Sequence, residues 1–287
     1  MAGGEKWRVS RAEGNVVHVQ CDIKGEQWEQ HFLLRSDAHH DNPKSDRSLE
    51  LKHLQEAVGY DAGVIDCGDL FCAMQGKYDK RSSKSDIRPE HQAGDYLDRL
   101  VRCAADVYEP FAASFVCIGD GNHETSIRDR METDLNERLC ATLSDRTGVH
   151  VHHSGYTGWV VFHFTQGTER SRKVLWYTHG YGGGGPVTQD TIQAQRQRAY
   201  IRADIICSGH THDQWAQFNT VLGINHNGFP ERLEVTNVKL GTYKDDYGDG
   251  KKSWPVQKGM PPKPLGQQWL TFSLSKGKVI TTITRAQ

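Results

Sequence analysis

Seven side chains with metal-ligating atoms sit just beyond apolar runs. Asp37 and His39 follow Phe32-Leu33-Leu34, Asp69 follows Val64-Ile65, Asn122 follows the run Phe115 to Ile118, His179 follows Val174 to Tyr177, and His210 and His212 follow Ile205-Ile206-Cys207. Two carboxylates, an amide oxygen and four imidazoles, with no thiolate, suit divalent first-row ions such as Mn, Fe, Zn, Co or Ni. Seven ligands exceed the needs of one ion and fit two that share a carboxylate and keep open positions. Two ions about 3.5–4 Å apart clamp the attacking and leaving oxygens of a phosphoryl displacement, and a hydroxide bridging them is a nucleophile at neutral pH. No protein nucleophile is offered by motif: the chain has neither a Gly-x-Ser-x-Gly elbow nor a Walker-type Gly-x-x-x-x-Gly-Lys.

The elements that must carry these groups follow from the apolar pattern. Trp7–Ser10, Val16–Cys21 and His31–Arg35 read as an antiparallel opening. After it, strand and helix alternate: a helix over 48–58, strand Gly63–Ile65, a helix over 90–108 and strand Ser114–Ile118. A helix is expected from about 125 to 144, with strands near 149–153, 158–164 and 173–178. A helix near 188–201 precedes the strand 204–207, and the remainder is strand-rich with a long Gly/Pro/Lys loop near 244–266. No repeat or linker interrupts this order, so we expect one domain over 1–287, its motif-bearing core at about 30–215 and a strand-rich part at 215–287. In such folds ligands gather outside the carboxyl ends of the strands, which is where all seven side chains fall.

Composition narrows the class. With 36% hydrophobic and 25% charged residues the chain reads as globular rather than disordered. No apolar run approaches the roughly 20 residues of a membrane helix, and Met1 to Lys6 lacks a signal-peptide pattern, so the expected compartment is the cytoplasm, with no membrane partner. A net charge of -1 gives no footprint for nucleic acid. Seven scattered cysteines without a Cys-x-x-Cys pair read as reduced core residues. The oligomeric state is left open by the sequence.

Asp-x-His, Gly-Asp, Gly-Asn-His-Glu, a lone His-Gly and Gly-His-x-His, in that order from residue 37 to 212, resemble the calcineurin-like metallophosphoesterase family. The resemblance implies an α/β fold, a two-sheet β-sandwich flanked by helices in four αββα layers. It implies that Asp37, His39 and His212 ligate one cation, that Asn122, His179 and His210 ligate a second, and that Asp69 bridges both. It also implies that His123 binds no metal but stabilises the transferring phosphoryl group and protonates the leaving oxygen, as suits a group titrating near neutrality. The activity implied is hydrolysis of a phosphate ester, with a nucleotide-type or other small phosphodiester ahead of a monoester and manganese as the ion expected to support it in vitro. A DNA exo- or endonuclease of the same family is the alternative enzyme, and a catalytically silent metal-binding scaffold the alternative of another class.

Other polar residues have plainer readings. Asp120 stands where many relatives carry a neutral residue; we read it as facing solvent, with tuning of His123 as the alternative. Glu124 or a nearby Asp is expected to orient His123. His150, His152 and His153 are read as exposed. His40, Lys80 and Arg81 are the candidate substrate contacts, the last two in the basic loop 77–88. The run Gly182–Gly185 either lets backbone approach a phosphate or merely connects. The loop 244–264 has the composition of a substrate-shaping lid or an oligomer contact.

Overall fold

Alternation decides which way each strand faces, and two sheets result. In the computed structural model, which describes residues 1–73, 87–248 and 254–286, twelve strands are seen. The first sheet has the order β1 (Trp7–Glu13), β2 (Val16–Asp22), β6 (Thr157–Gln166), β7 (Glu169–Thr178), β8 (Ile205–Ser208), β10 (Pro230–Lys239), β9 (Trp215–Ile224). The second has the order β12 (Lys278–Ala286), β11 (Gln267–Ser275), β3 (Glu29–Arg35), β4 (Gly63–Asp66), β5 (Phe115–Ile118).

Period-2 side chains join the sheets. Val17, Val19 and Cys21 of β2, Val160, Phe162 and Phe164 of β6, and Leu175, Ile205 and Val238 of β7, β8 and β10 pack with Phe32, Leu34, Ile65, Leu270 and Phe272 of the second sheet. Phe162 is central, with ring centroids 4.8 Å from both Phe32 and Phe272. The opposite face of the five-stranded sheet presents Leu33, Val64, Phe115 and Trp269 to the apolar stripes of α1 (Arg47–Gly59), α2 (Tyr96–Tyr108) and α4 (Leu135–Thr147). On the outer face of the seven-stranded sheet, α5 (Thr191–Tyr200) lies against β8; Gln195 donates to Gln217, and the buried Lys239 pairs with Asp190 at the foot of the helix. The chain is thus an α/β protein of two sheets flanked by helices. All seven cysteines are free thiols and all but Cys103 are buried.

Three expectations change. The helix foreseen over 125–144 is two, α3 (Asn122–Met131) and α4, because Glu132 takes a left-handed φ of 53° and Asp134 caps α4 by accepting from Glu137 N. Helix α3 also starts three residues earlier, at Asn122 itself. Residues 149–153 make no strand, only an isolated bridge between Ile118 and His153.

Parallel pairing is what positions the site. β3, β4 and β5 run parallel in one sheet and β7 and β8 in the other, so five carboxyl ends open toward the same end of the sandwich. Truncating the ring at the centre of this sandwich tests the packing: Phe162→Ala is expected to cost about 3–5 kcal/mol, read as a lowered urea midpoint with an unchanged slope.

Candidate metal centre

Each ligand-bearing turn begins where a strand runs out, and glycine lets the turns meet. A Cβ on Gly68, whose φ is 101°, would lie 2.4 Å from the Asp120 backbone, and one on Gly209 would lie 2.6 Å from Asp37 Oδ2. Asp37, His39, Asp69, His210 and His212 all adopt left-handed backbone, with φ between 45° and 75°. Such conformations cost of order 1–3 kcal/mol each and persist where the surroundings over-determine them, typically at functional sites.

Among the described residues, four groups of three side chains have metal-ligating atoms within 4.8 Å of one another. Asp37, His39 and His212, and Asp69, His179 and His210, are made wholly of these turns; the others are His39, Cys72 and His123, and Asp120, Asp134 and His153. His212 Nε2 is 3.1 Å from Asp37 Oδ1 and 3.4 Å from His39 Nε2; His179 Nε2 is 3.2 Å from both Asp69 Oδ2 and Asn122 Oδ1. The structure therefore brings together all seven side chains singled out as ligands. The donor set fits divalent cations on two further counts. Asp37 Oδ1 is buried and faces imidazole nitrogens alone, His212 Nε2 at 3.1 Å and His39 Nε2 at 3.8 Å, the surroundings of a carboxylate oxygen that shares a cation with them. Two imidazoles are also fixed as ligating imidazoles are: His179 Nδ1 donates to the Cys67 carbonyl at 3.1 Å and His210 Nε2 to the Gly182 carbonyl at 2.9 Å, which turns the other nitrogen of each ring toward the cluster, that of His179 onto Asp69 and Asn122.

The carboxylates are held by backbone. Asp37 Oδ2 accepts from His210 N at 2.8 Å and Asp69 Oδ1 from His123 N at 3.0 Å. Burial alone would push Asp69 up, but His179 and His123 outweigh it and hold the carboxyl well below the usual range; burial and His212 act on Asp37 in the same two senses, again with a net lowering. Burial would lower His179, yet Asp69 holds it up at about 9. Burial and His123 hold His39 well below its ordinary value, so it is neutral and ready to ligate.

His123 stands beside this set. Its Nδ1 donates to the Cys72 carbonyl at 2.5 Å, while Nε2 lies 3.7 Å from Asp69 Oδ2 and the ring meets that of His39 edge-on at 5.0 Å. The residue that orients His123 is therefore the 72 peptide, and Glu124 does something else. The Glu124 carboxylate accepts from the backbone N–H groups of Gly121, Asp69 and Phe71, at 2.8, 3.2 and 2.7 Å, and so staples the Asp69 turn to the start of α3. Asp41 completes the support by accepting from Cys72 N and Ala73 N. The Gly121 contact is a local helix-capping bond, but those of Glu124 with the 69–71 backbone and of Asp41 with 72–73 span about 55 and 30 residues of chain, which no local pattern announces.

Some expectations are displaced. Asp120 is not solvent-facing: it is 1% exposed and accepts from Asn136 and Arg128, with His153 Nε2 2.9 Å away. His153 is correspondingly half-buried, as is His152, whose ring donates to the Gly14 carbonyl; only His150 is exposed. His40 is not brought to the open side of the centre. It is buried against Glu50 and Tyr108, which also hold Arg35, itself paired at 2.5 Å with Asp66. Lys80 and Arg81 lie outside the described residues, as does most of the loop 77–88 and the stretch 249–253 of the 244–264 loop. Among the described residues of the latter, Lys244 and its neighbour Lys44 flank Asp246, at 3.6 and 3.9 Å, beside the strand-like segment that bonds the Asp37 carbonyl. The Gly182–Gly185 run has one clear task, the carbonyl that fixes His210.

No protein-family model matches the chain, and no curated protein matches its sequence. Solved structures similar to it include Vps29 complexed with zinc from Entamoeba histolytica (13% identity, covering 90% of this chain and 100% of that one, TM-score 0.37). Others are GAP50 of Plasmodium (11%, 90% and 85%, 0.44) and a metallophosphoesterase from Sphaerobacter thermophilus (12%, 90% and 88%, 0.35). No helix among the described residues is long and apolar enough to cross a membrane.

A cation entering beside His179 must displace the proton that Asp69 stabilises there. Because that proton stays bound up to about pH 9, divalent-cation affinity should rise with pH, approaching tenfold per unit between about pH 6 and about pH 8, with proton release on binding. Calorimetric titration of the metal-free protein with manganese in two buffers of different ionisation enthalpy measures both; a pH-independent affinity would contradict the assignment.

Proposed function

We propose that this chain is a divalent-metal-dependent hydrolase of phosphate esters, a member of the calcineurin-like metallophosphoesterases that acts on a nucleotide-type or other small phosphodiester. The observation that carries the reading is His123 set against seven converging ligand side chains: a proton donor with one nitrogen fixed on a peptide carbonyl and the other turned toward Asp69. A scaffold that only bound metal would have no use for it.

Asp37, His39 and His212 would hold one cation, Asn122, His179 and His210 another, with Asp69 between them. Cations bound there would supply a water of lowered pKa and polarise the phosphoryl oxygens. The remaining work falls to the chain. His179 and His210 keep their ligating nitrogens aimed by giving the other N–H to backbone. Asp37 and Asp69 stay ionised through burial because imidazoles face them. The side chain of His123 is 14% exposed and that of His212 18%, whereas Asp37 and Asp69 are at most 3% exposed. The open side of the centre therefore presents His123, and a protonated Nε2 there can pass its proton to the departing alkoxide oxygen, a contribution of about 10²–10⁴-fold in rate. Lys44 and Lys244 supply positive potential on the Asp37 side, which favours an anionic substrate.

The purified protein loaded with manganese should hydrolyse bis(p-nitrophenyl) phosphate, and His123→Ala should lower kcat by about 10²–10⁴-fold at unchanged metal content. Absence of hydrolysis with any of Mn, Fe, Zn, Co or Ni at full metal occupancy would overturn the reading. Relative rates on single-stranded DNA and on cyclic or dinucleotides then separate a nuclease from a small-molecule diesterase.

A further inference from the structure

Sheets end in edges, and an edge strand's free N–H and C=O groups are a template for another chain unless something blunts them. Three of the four edges here are managed. β1 carries Arg8, Arg11 and Glu13 and an irregular register between Val9 and Arg11. β5 has only four residues and meets the bridge from His153. β12 is bracketed by Lys278 and Arg285, with Thr282 and Thr284 among its solvent-facing positions.

β9 has none of these devices. It is ten residues long, Trp-Ala-Gln-Phe-Asn-Thr-Val-Leu-Gly-Ile, with no charge and no proline, and it pairs with β10 throughout in unbroken register. Its other edge meets no strand among the described residues. Beyond the part of β10 that packs in the sandwich, the hairpin also leaves large apolar side chains in solvent: Phe218 is 65% exposed, Leu222 78%, Ile224 65% and Phe229 66%.

We propose that β9 pairs antiparallel with β9 of a second copy of this chain, joining the two seven-stranded sheets across a two-fold axis. Charge selects this occupant. A neutral strand offers no electrostatic handle by which a different chain would be chosen, and it carries no like-charge penalty against its own copy. Extent agrees: ten residues at about 3.4 Å each offer about 34 Å of edge, flanked by the exposed apolar side chains of both hairpins. The pairing has a consequence for the metal centre. Trp215 begins only three residues after His212, so in a full-length antiparallel pair the hairpin turn 225–229 of the second copy lies beside that end of the strand, next to the loop that carries His210 and His212.

Sedimentation of the full chain tests this without reference to catalysis. The wild-type protein is expected to be a dimer at micromolar concentration. Thr220→Lys and Thr220→Glu, which put like charges near the two-fold on an exposed position, should each give a folded monomer by circular dichroism and sedimentation, and an equimolar mixture should recover the dimer. A wild-type chain that remains monomeric at tens of micromolar overturns the proposal and leaves the edge to a different partner. A dimer equally stable in both single variants overturns it too.

Discussion

A carboxylate taken wholly out of water must be repaid by what surrounds it, and around Asp69 that requirement organises the site. Its side chain is 3% exposed, and leaving it ionised there costs several kcal/mol unless donors and positive charge face it. The His123 backbone N–H supplies one donor, and the protonated His179 supplies the charge. Because these partners come from β7's end and the start of α3, the demand of one buried group binds turns from both sheets into one geometry. The same demand explains the raised His179: without a cation, it is a proton on that ring that answers Asp69.

Beneath the turns lies a second buried cluster. Arg35, at the end of β3, holds Asp66 at the end of β4 and Glu50 of α1, and Tyr108 of α2 donates to Glu50. Every member is fully buried, so removing one partner would strand a charge, although such clusters are weak evidence for net stability. Its place matters more than its energy. Arg35 precedes Asp37 by two residues and Asp66 precedes Asp69 by three, so fixing this pair fixes where both turns leave the sheet. Glu124 and Asp41 then pin the 69–73 backbone from above, which sets the carbonyl that aims His123.

How much of this the sequence disclosed follows from how local each cause is. The ligand turns were legible because a polar residue just after a short apolar run, flanked by glycine at Asp69, Asn122, His179 and His210, is a one-dimensional signature of a buried strand ending in a tight turn. The two-sheet architecture came with the resemblance that those motifs carry. Asp120 and His153 were misread because their pairing joins residues 33 apart, with nothing in either neighbourhood to mark it. His40, adjacent to a ligand, looked like a substrate contact, but His39 takes a left-handed turn and the chain leaves His40 facing Glu50. The break between α3 and α4 was hidden by apolar spacing that continues across Glu132, where a left-handed residue ends one helix before Asp134 caps the next.

On the proposed function, two cations would share this one cluster with Asp69 between them. Anomalous scattering from crystals grown with manganese locates such ions directly. The account predicts two peaks, one among Asp37, His39 and His212 and one among Asn122, His179 and His210, both adjoining Asp69. A single peak, or density at Asp120, Asp134 and His153 instead, would contradict it.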